Sequence, residues 1–510
     1  MPLPTPVATE APDELNPTSS ASTPPDVAAL YAKIRQAAGK RPARERIVET
    51  IDAHGRTAAQ TTLRDGRNRR TTLVDGPFES ASGTFDGQRW HQNANGMTVL
   101  DQPRRGAEAM ERRTLSLRRV ETPIVADVIA DLDPKGHGTR TYVDPATERI
   151  VRYERIMPAQ TMVTTYGDFR TTDGYTQAWL ATTTDPGARG GQVVRTVSIS
   201  HDVAASSLAI PSPRRQLVEF PAGVTMTRLP VKLVDEQWIV RVQVGSRGLD
   251  FLIDTGDASG ITIDESVARS LHLHLFDDGV NAGNVGRFEE YKAIVPDMRV
   301  GALDMRDVAV NTTPNLSFEH STSKVVGLLG FDFIASEALA FDYDNAAITA
   351  TDYDAFKPPT ASNVVALPIR VGGQGPEVDV AIDGHIGERF EIDTGAFGGL
   401  LITDVFTRRY PGITRGFHSL DRMVTMQGVG GTTAVTLYTI PSVRLGSVDF
   451  TNFAGVVLPS DRTYGASDWD GVLGPEILQY FTMTTDYADS TIYLEPNSHR
   501  NLHFDFGGGF

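Results

Sequence analysis

The second half of this chain repeats itself, and that repeat limits its fold more than any other feature. "FLIDTG" begins at Phe251 and returns as "FEIDTG" at Phe390. "VPDMRVGALDMRDVAV" from Val295 is matched by "IPSVRLGSVDFTNFAG" from Ile440. "LLGFDFI" from Leu328 is matched by "VLGPEIL" from Val472, and "FDYDNAAITA" from Phe341 by "TDYADSTIYL" from Thr485. Four blocks in one order, each about 140 residues apart, are two copies of one unit of small-domain size. The blocks alternate apolar and polar residues between Gly, Asp and Pro, which is strand patterning. The copies are expected at 222–357 and 363–505, with "KPPTASN" (357–363) as the linker.

The rest of the chain is bounded by length and composition. Its 510 residues suggest two to four domains. A formal net charge of −16 lacks the basic footprint of a nucleic-acid binder, so no nucleic-acid partner is expected. With no cysteine there is no disulfide, thiolate metal site or cysteine nucleophile. No stretch is apolar for long enough to form a transmembrane helix. Residues 1–26 are rich in Pro, Ser, Thr and Ala, have neither a basic nor an apolar targeting region, and read as a disordered leader.

Between leader and repeat, residues 27–215 read as a β-rich domain with a short N-terminal helix. "DVAALYAKIRQAAG" has helical spacing and ends on Gly39. Runs such as "RTTLVDG" and "RIVRYERI" alternate as antiparallel strands do. Trp90 reads as core. His272 and His274 in "LHLHLF" lack a third ligand nearby and are read as a surface or half-buried pair, so no metal is expected. "GARGG" (187–191) has no strand–turn–helix context and reads as a loop.

One Asp-Thr-Gly is ordinary turn chemistry: Asp caps, Thr satisfies a backbone group, Gly allows a positive φ. Two, each behind an apolar strand and each followed by the same later blocks, suggest a pair of carboxylates. Two such groups about 3 Å apart cannot both ionise and share one proton in mild acid. The ionised member takes a proton from water while the protonated member hydrogen-bonds a carbonyl, so one pair supplies both general base and general acid.

Through these motifs the segment of roughly residues 225–500 resembles the pepsin and retropepsin clan of aspartic proteases. The motifs are Asp254-Thr255-Gly256 and Asp393-Thr394-Gly395, with the clan's apolar-apolar-Gly element as Leu328-Leu329-Gly330 and Val472-Leu473-Gly474. "TDYADSTIYLEPN" also resembles the last strand of bacterial aspartyl-protease-like proteins. The resemblance implies two tandem retropepsin-like β lobes forming a pepsin-like bilobal unit, and an endopeptidase needing no cofactor. Asp254 and Asp393 would be catalytic. Thr255 and Thr394 would brace the two loops, and Gly330 and Gly474 would lie beneath them. A Gly-rich hairpin flap is matched by "MQGVGGTTAV" (426–435), with Gly428, Gly430 and Gly431, and less closely by "VNAGNVGRFEE" (280–290). The pepsin flap tyrosine has no clear equivalent. Asp257 also departs from the pattern: retropepsins carry Ala there, as Ala396 does in the second copy, and pepsins Ser or Thr.

"TYVDPATERIVRYE" and "TTYGDFRTTDGYTQ" resemble the half-barrel of periplasmic lipoprotein carriers. With the protease resemblance this implies a periplasmic or secreted protein. The expected partner is a peptide or unfolded protein, and intramolecular pairing of the lobes implies a monomer. Two alternatives stay open: a peptide-binding protein that has lost turnover on the same scaffold, and a lipid or lipoprotein carrier.

Overall fold

A computed structural model describes residues 23–101, 114–133, 136–157, 160–184, 191–282, 287–314, 316, 318–320, 323–371, 375–428, 431–458 and 469–498. The chain divides between Ser212 and Pro213 into two compact units.

In the first unit a helix, Pro25–Ala38, buries Val27, Leu30 and Ile34. That spacing is one helical face. Pro25 opens the helix, and Gly39 ends it at φ 84°, donating its amide to the Arg35 and Gln36 carbonyls. A sheet of thirteen strands accounts for the rest. Six strands from Arg44 to Leu100 run as one meander and seven from Thr114 to Ser200 as another. Pairing of Arg44–Ala53 with Gly191–Ser200 joins them. Two-residue turns with φ positive at both positions set several hairpins: His54-Gly55, Asp86-Gly87 and Asp173-Gly174. Such turns match the right-handed twist of the strands they join. The helix and sheet share an apolar core that includes Ile51, Ile129, Val143 and Val194. Trp90 is 1% exposed.

The second unit holds two lobes with the same sheet order. In lobe 1 the order is Val231–Val234, Gln237–Val244, Arg247–Ile253, Ser323–Leu329, Ile261–Asp264, Leu303–Thr313, Arg287–Val300, Phe276–Ala282, with Phe318–His320 beside Ser323–Leu329. Lobe 2 repeats it as Arg370–Val371, Pro376–Ile382, His385–Ile392, Gly471–Leu473, Leu400–Ile402, Val448–Val457, Gly431–Leu445, His418–Gly428. In each lobe the strand ending in Asp-Thr-Gly pairs in parallel with the strand ending in the apolar-apolar-Gly motif. Beside it, one glycine per lobe (Gly327, Gly471) leaves room for the buried ring of Phe251 or Phe390.

A third sheet of six strands joins the lobes. Lobe 1 gives Met226–Arg228, Ala347–Thr351 and Ala338–Asp342; lobe 2 gives Phe481–Asp486, Thr491–Pro496 and Val365–Pro368. The seam is an antiparallel pair, Leu339↔Thr485 through Asp342↔Thr482. The seam is made where the matching blocks "FDYDNAAITA" and "TDYADSTIYL" begin and by the residues just before them, so equivalent segments of the two copies pair with each other.

The lobes differ in one core position near the seam. Lobe 2 has Phe481, fully buried; lobe 1 has Glu337, 0% exposed, with no partner for either carboxyl oxygen among the described residues. Burial, and then the charge of Asp352, hold the Glu337 carboxyl well above the usual range. A carboxyl raised on folding contributes its stability below its unfolded pKa and loses it as pH rises through the folded one. Glu337→Gln should therefore raise Tm at neutral pH, by roughly 2–4 °C for each kcal/mol relieved, and leave Tm at pH 4 unchanged. Thermal melts of both proteins at the two pH values test this, and an equal shift at both would refute it.

Candidate active site

Each Asp-Thr-Gly loop leaves its strand where an apolar run ends. Asp254 donates its amide to the Leu329 carbonyl and Asp393 to that of Leu473, both at 3.0 Å. The apolar-apolar-Gly strand thus fixes where each loop starts. A Cβ on Gly330 would collide with the Asp257 and Gly260 carbonyls, and one on Gly474 with that of Gly398. The two loops then meet within the one chain. The Thr255 amide donates to Thr394 Oγ1 at 3.1 Å, and the Thr394 amide to Thr255 Oγ1 at 2.9 Å. Thr255 Oγ1 donates to the Ile392 carbonyl at 2.7 Å, and Thr394 Oγ1 to that of Ile253 at 2.8 Å. Each hydroxyl both accepts and donates across the lobe boundary, and both threonines are buried.

This clasp sets the two carboxyls face to face. Asp254 and Asp393 are half-buried and within hydrogen-bonding reach of each other. Gly256 and Gly395 make the approach feasible, since a Cβ on either would collide with the opposite aspartate's carboxyl. Burial raises both carboxyls. At Asp254 the charges of Asp393 and then Asp257 add to the effect of burial. Asp254 Oδ1 accepts the Gly256 amide at 2.9 Å. Asp393 Oδ1 accepts those of Gly395 at 2.8 Å and Ala396 at 2.9 Å.

Asp257 is half-buried, not a free surface charge. One oxygen accepts from the Ser259 amide and hydroxyl, and the other from Thr262 Oγ1 at 2.8 Å. Burial outweighs these bonds and raises it. Of the glycines expected in a flap, Gly428 and Gly431 pair at the end of the hairpin His418–Gly428/Gly431–Leu445. Gly430 lies outside the described residues, as do Gly283 and Gly286 of the lobe 1 hairpin. Among the described residues no cluster of three or more His, Cys, Asp or Glu could hold a metal, and no helix is long and apolar enough to cross a membrane.

Three residues near the pair escaped the sequence reading. Glu391 is 3% exposed, and its Oε1 has no partner among the described residues. Burial and the charges of Asp393 and Asp254 hold it well above the usual range. Its signal was a charge inside "FEID", where lobe 1 has Leu252. Gln237, fully buried, donates Nε2 to the Gly395 carbonyl at 2.7 Å and the Ala396 carbonyl at 3.1 Å. Glu476 follows Gly474 and is pushed up to about 7 by burial and the charge of Glu236.

A bilobal β fold with two facing Asp-Thr-Gly loops defines an aspartyl-protease-like unit. In agreement, residues 240–333 and 378–477 match the family model described as aspartyl protease, once in each lobe. No curated protein compared with the chain matches it. Among solved structures, Basic 7S globulin from soybean aligns at 11% identity and a TM-score of 0.32, over 54% of this chain and 96% of its own. A LolA superfamily protein from Nitrosomonas europaea aligns at 11% and 0.26, over 36% and 96%. A DUF1329 family protein from Desulfovibrio piger aligns at 11% and 0.25, over 36% and 97%. Likenesses this loose decide nothing about activity.

The clasp makes a stability prediction. Thr394→Val removes the hydroxyl that accepts the Thr255 amide and donates to Ile253, leaving two buried backbone groups unpaired. At about 1–3 kcal/mol for each unsatisfied group, it should cost about 2–6 kcal/mol in denaturant unfolding. Thr394→Ser should recover most of that. A valine variant as stable as wild type would mean that the clasp bears no load.

Proposed function

We propose that the protein is an aspartic endopeptidase that hydrolyses peptide bonds with water activated between Asp254 and Asp393. The observation that supports this most is the reciprocal threonine clasp, which holds two carboxyls together despite their repulsion. A folded chain has little reason to keep such an arrangement unless the shared proton is used. One carboxylate takes a proton from water as the water oxygen bonds to the peptide carbon. The other carboxyl gives its proton to the carbonyl oxygen. In the second step the carbon–nitrogen bond breaks, the nitrogen takes the proton gained from water, and the diol returns a proton to the other carboxylate. The sum is one peptide bond and one water converted to an acid and an amine.

The substrate in this reading is a peptide or an unfolded protein chain. No cofactor enters the reaction, and the lobes pair within a monomer. A periplasmic or secreted setting goes with it, on the resemblance of the first unit's segments to lipoprotein carriers. The rival without turnover, a peptide-binding protein, is disfavoured by both Asp-Thr-Gly sequences being intact.

Two expectations test the reading. Asp254→Asn and Asp393→Asn should each lower kcat/KM on an unfolded protein substrate by roughly a hundredfold to ten-thousandfold, with Tm nearly unchanged and wild-type activity insensitive to chelators. Retained cleavage by either variant would end the assignment. The pH profile should be bell-shaped with an acid optimum, its limbs belonging to the pair and not to one residue. Asp257 adds a negative charge that disfavours ionisation of Asp254, so Asp257→Ala should move the upper limb to lower pH. Superimposable profiles would show that this charge does not reach the pair.

A further inference from the structure

The two loops are pseudo-equivalent, but their hydrogen bonds are not. In lobe 2 the Ala396 amide donates to Asp393 Oδ1 at 2.9 Å. In lobe 1 the corresponding amide, of Asp257, donates instead to the backbone carbonyl of Asp254, at 3.2 Å. Among the described residues, Asp393 therefore accepts two backbone amides on its carboxyl and Asp254 one.

The cause lies across the lobe boundary. The peptide between Gly395 and Ala396 is held at both ends: its carbonyl accepts Gln237 Nε2 at 2.7 Å, and its N–H points at Asp393. Gln237 also holds the next carbonyl, of Ala396, at 3.1 Å. It reaches there because the tight turn Asp235-Glu236, with φ positive at both residues, makes it the first residue of the strand Gln237–Val244. The corresponding strand start in lobe 2 is Gly375-Pro376, and neither residue has a side-chain donor. Among the described residues the lobe 1 peptide has no such strut; its Gly256 carbonyl accepts the Ala258 amide of its own loop at 3.0 Å, and Asp257 sits in that loop with its charge.

We propose that the shared proton resides on Asp254, that Asp393 is the carboxylate that takes the proton from water, and that Gln237 is the positioning residue that sets this order. The inference rests on the peptidase reading for its chemistry, but not for its test. Hydrogen bonds to the ionised form favour that form, so two amides select Asp393 as the anion. A like charge disfavours ionisation, so Asp257 keeps the proton on Asp254. Burial raises both carboxyls, and the charge of Asp257 adds to that at Asp254. The other charged or titratable groups around the pair do not reverse the order. Burial keeps Glu391 protonated in acid. Glu377 and Arg389 neutralise each other as a buried ion pair at 2.7 Å. Tyr487, which feels the charges of Glu391 and Asp254, is held well above its usual range and stays neutral.

The allocation can be read without turnover. Phenyl glycidyl ether alkylates carboxylates: the anionic oxygen bonds to the terminal epoxide carbon, that ring C–O bond breaks, and the alkoxide takes up the proton of the neighbouring acid. The full chain is treated at about pH 3, between the apparent pKa values of about 1.5 and 4.7 typical of such a pair, and peptide mass mapping locates the ester. The expected result is an ester on Asp393 in at least fivefold excess over Asp254. An equal yield, or an excess on Asp254, overturns the proposal. In Gln237→Leu and Gln237→Met the ratio should fall at least threefold toward unity, and the acid limb of kcat/KM should move to higher pH. If both variants keep the wild-type ratio, Gln237 does not set the order. If neither folds, the wild-type ratio still decides the allocation. A chain that labels on Asp393 but cleaves nothing sinks the peptidase reading alone, and an active peptidase that labels on Asp254 sinks this proposal alone.

Discussion

Two carboxyls facing each other repel once both are charged, and the second unit is arranged so that they cannot move apart. The restraint is a set of four hydrogen bonds between Thr255 and Thr394 and the opposite loop, all buried and all crossing the lobe boundary. Because each hydroxyl both accepts and donates, neither lobe can satisfy its own loop without the other. The six-stranded sheet fixes the lobes from a second direction, through pairing of Ala338–Asp342 with Phe481–Asp486. One contact sets the chemistry, the other the orientation, and both are made by the repeated segments themselves.

A repeat within one chain is free to become asymmetric, which a dimer of identical chains is not. Here the asymmetry collects around the carboxyl pair. Leu252, in the apolar cluster with Ile239, Val325 and Leu328, is matched by Glu391. Lobe 2 answers that cluster with a polar network: Arg389 paired to Glu377, Arg409 to Asp470, and Glu391 beside them. Buried ion pairs of this kind are poor sources of net stability. The Arg389–Glu377 pair and Glu391 on the Asp393 side, where lobe 1 has Leu252, give the two aspartates different surroundings, although their Asp-Thr-Gly sequences are the same.

The repeat made the lobes legible in the sequence because strand patterning and glycine spacing are local. "FLIDTG" had to be a strand running into a tight loop, and the two copies had to be alike. The threonine braces were legible through resemblance alone, since nothing in the spacing of Thr255 and Thr394 says that they meet. Gln237 was invisible: its role depends on a turn at Asp235-Glu236 that aims one amide across the boundary, and a lone Gln at a strand start is unremarkable. Glu391 and Glu337 were visible as charges in apolar runs, but the sequence could not tell an edge position from a buried one. The joining sheet, made of the segments that close each copy, was equally beyond reach, because strand pairing between copies leaves no periodic signal.

Those buried acids also give the unit a direction of response to pH. Glu337, Glu391 and Glu476 are all raised, chiefly by burial, as are both members of the pair. A fold that keeps several carboxyls protonated binds more protons than its unfolded chain, so its stability falls as pH rises through those raised values. The same burial that makes two aspartates share one proton thus sets an upper pH bound on the scaffold. Burial of carboxyls therefore acts twice in this unit: it favours a shared proton between Asp254 and Asp393, and it ties the stability of the lobes around them to acid conditions.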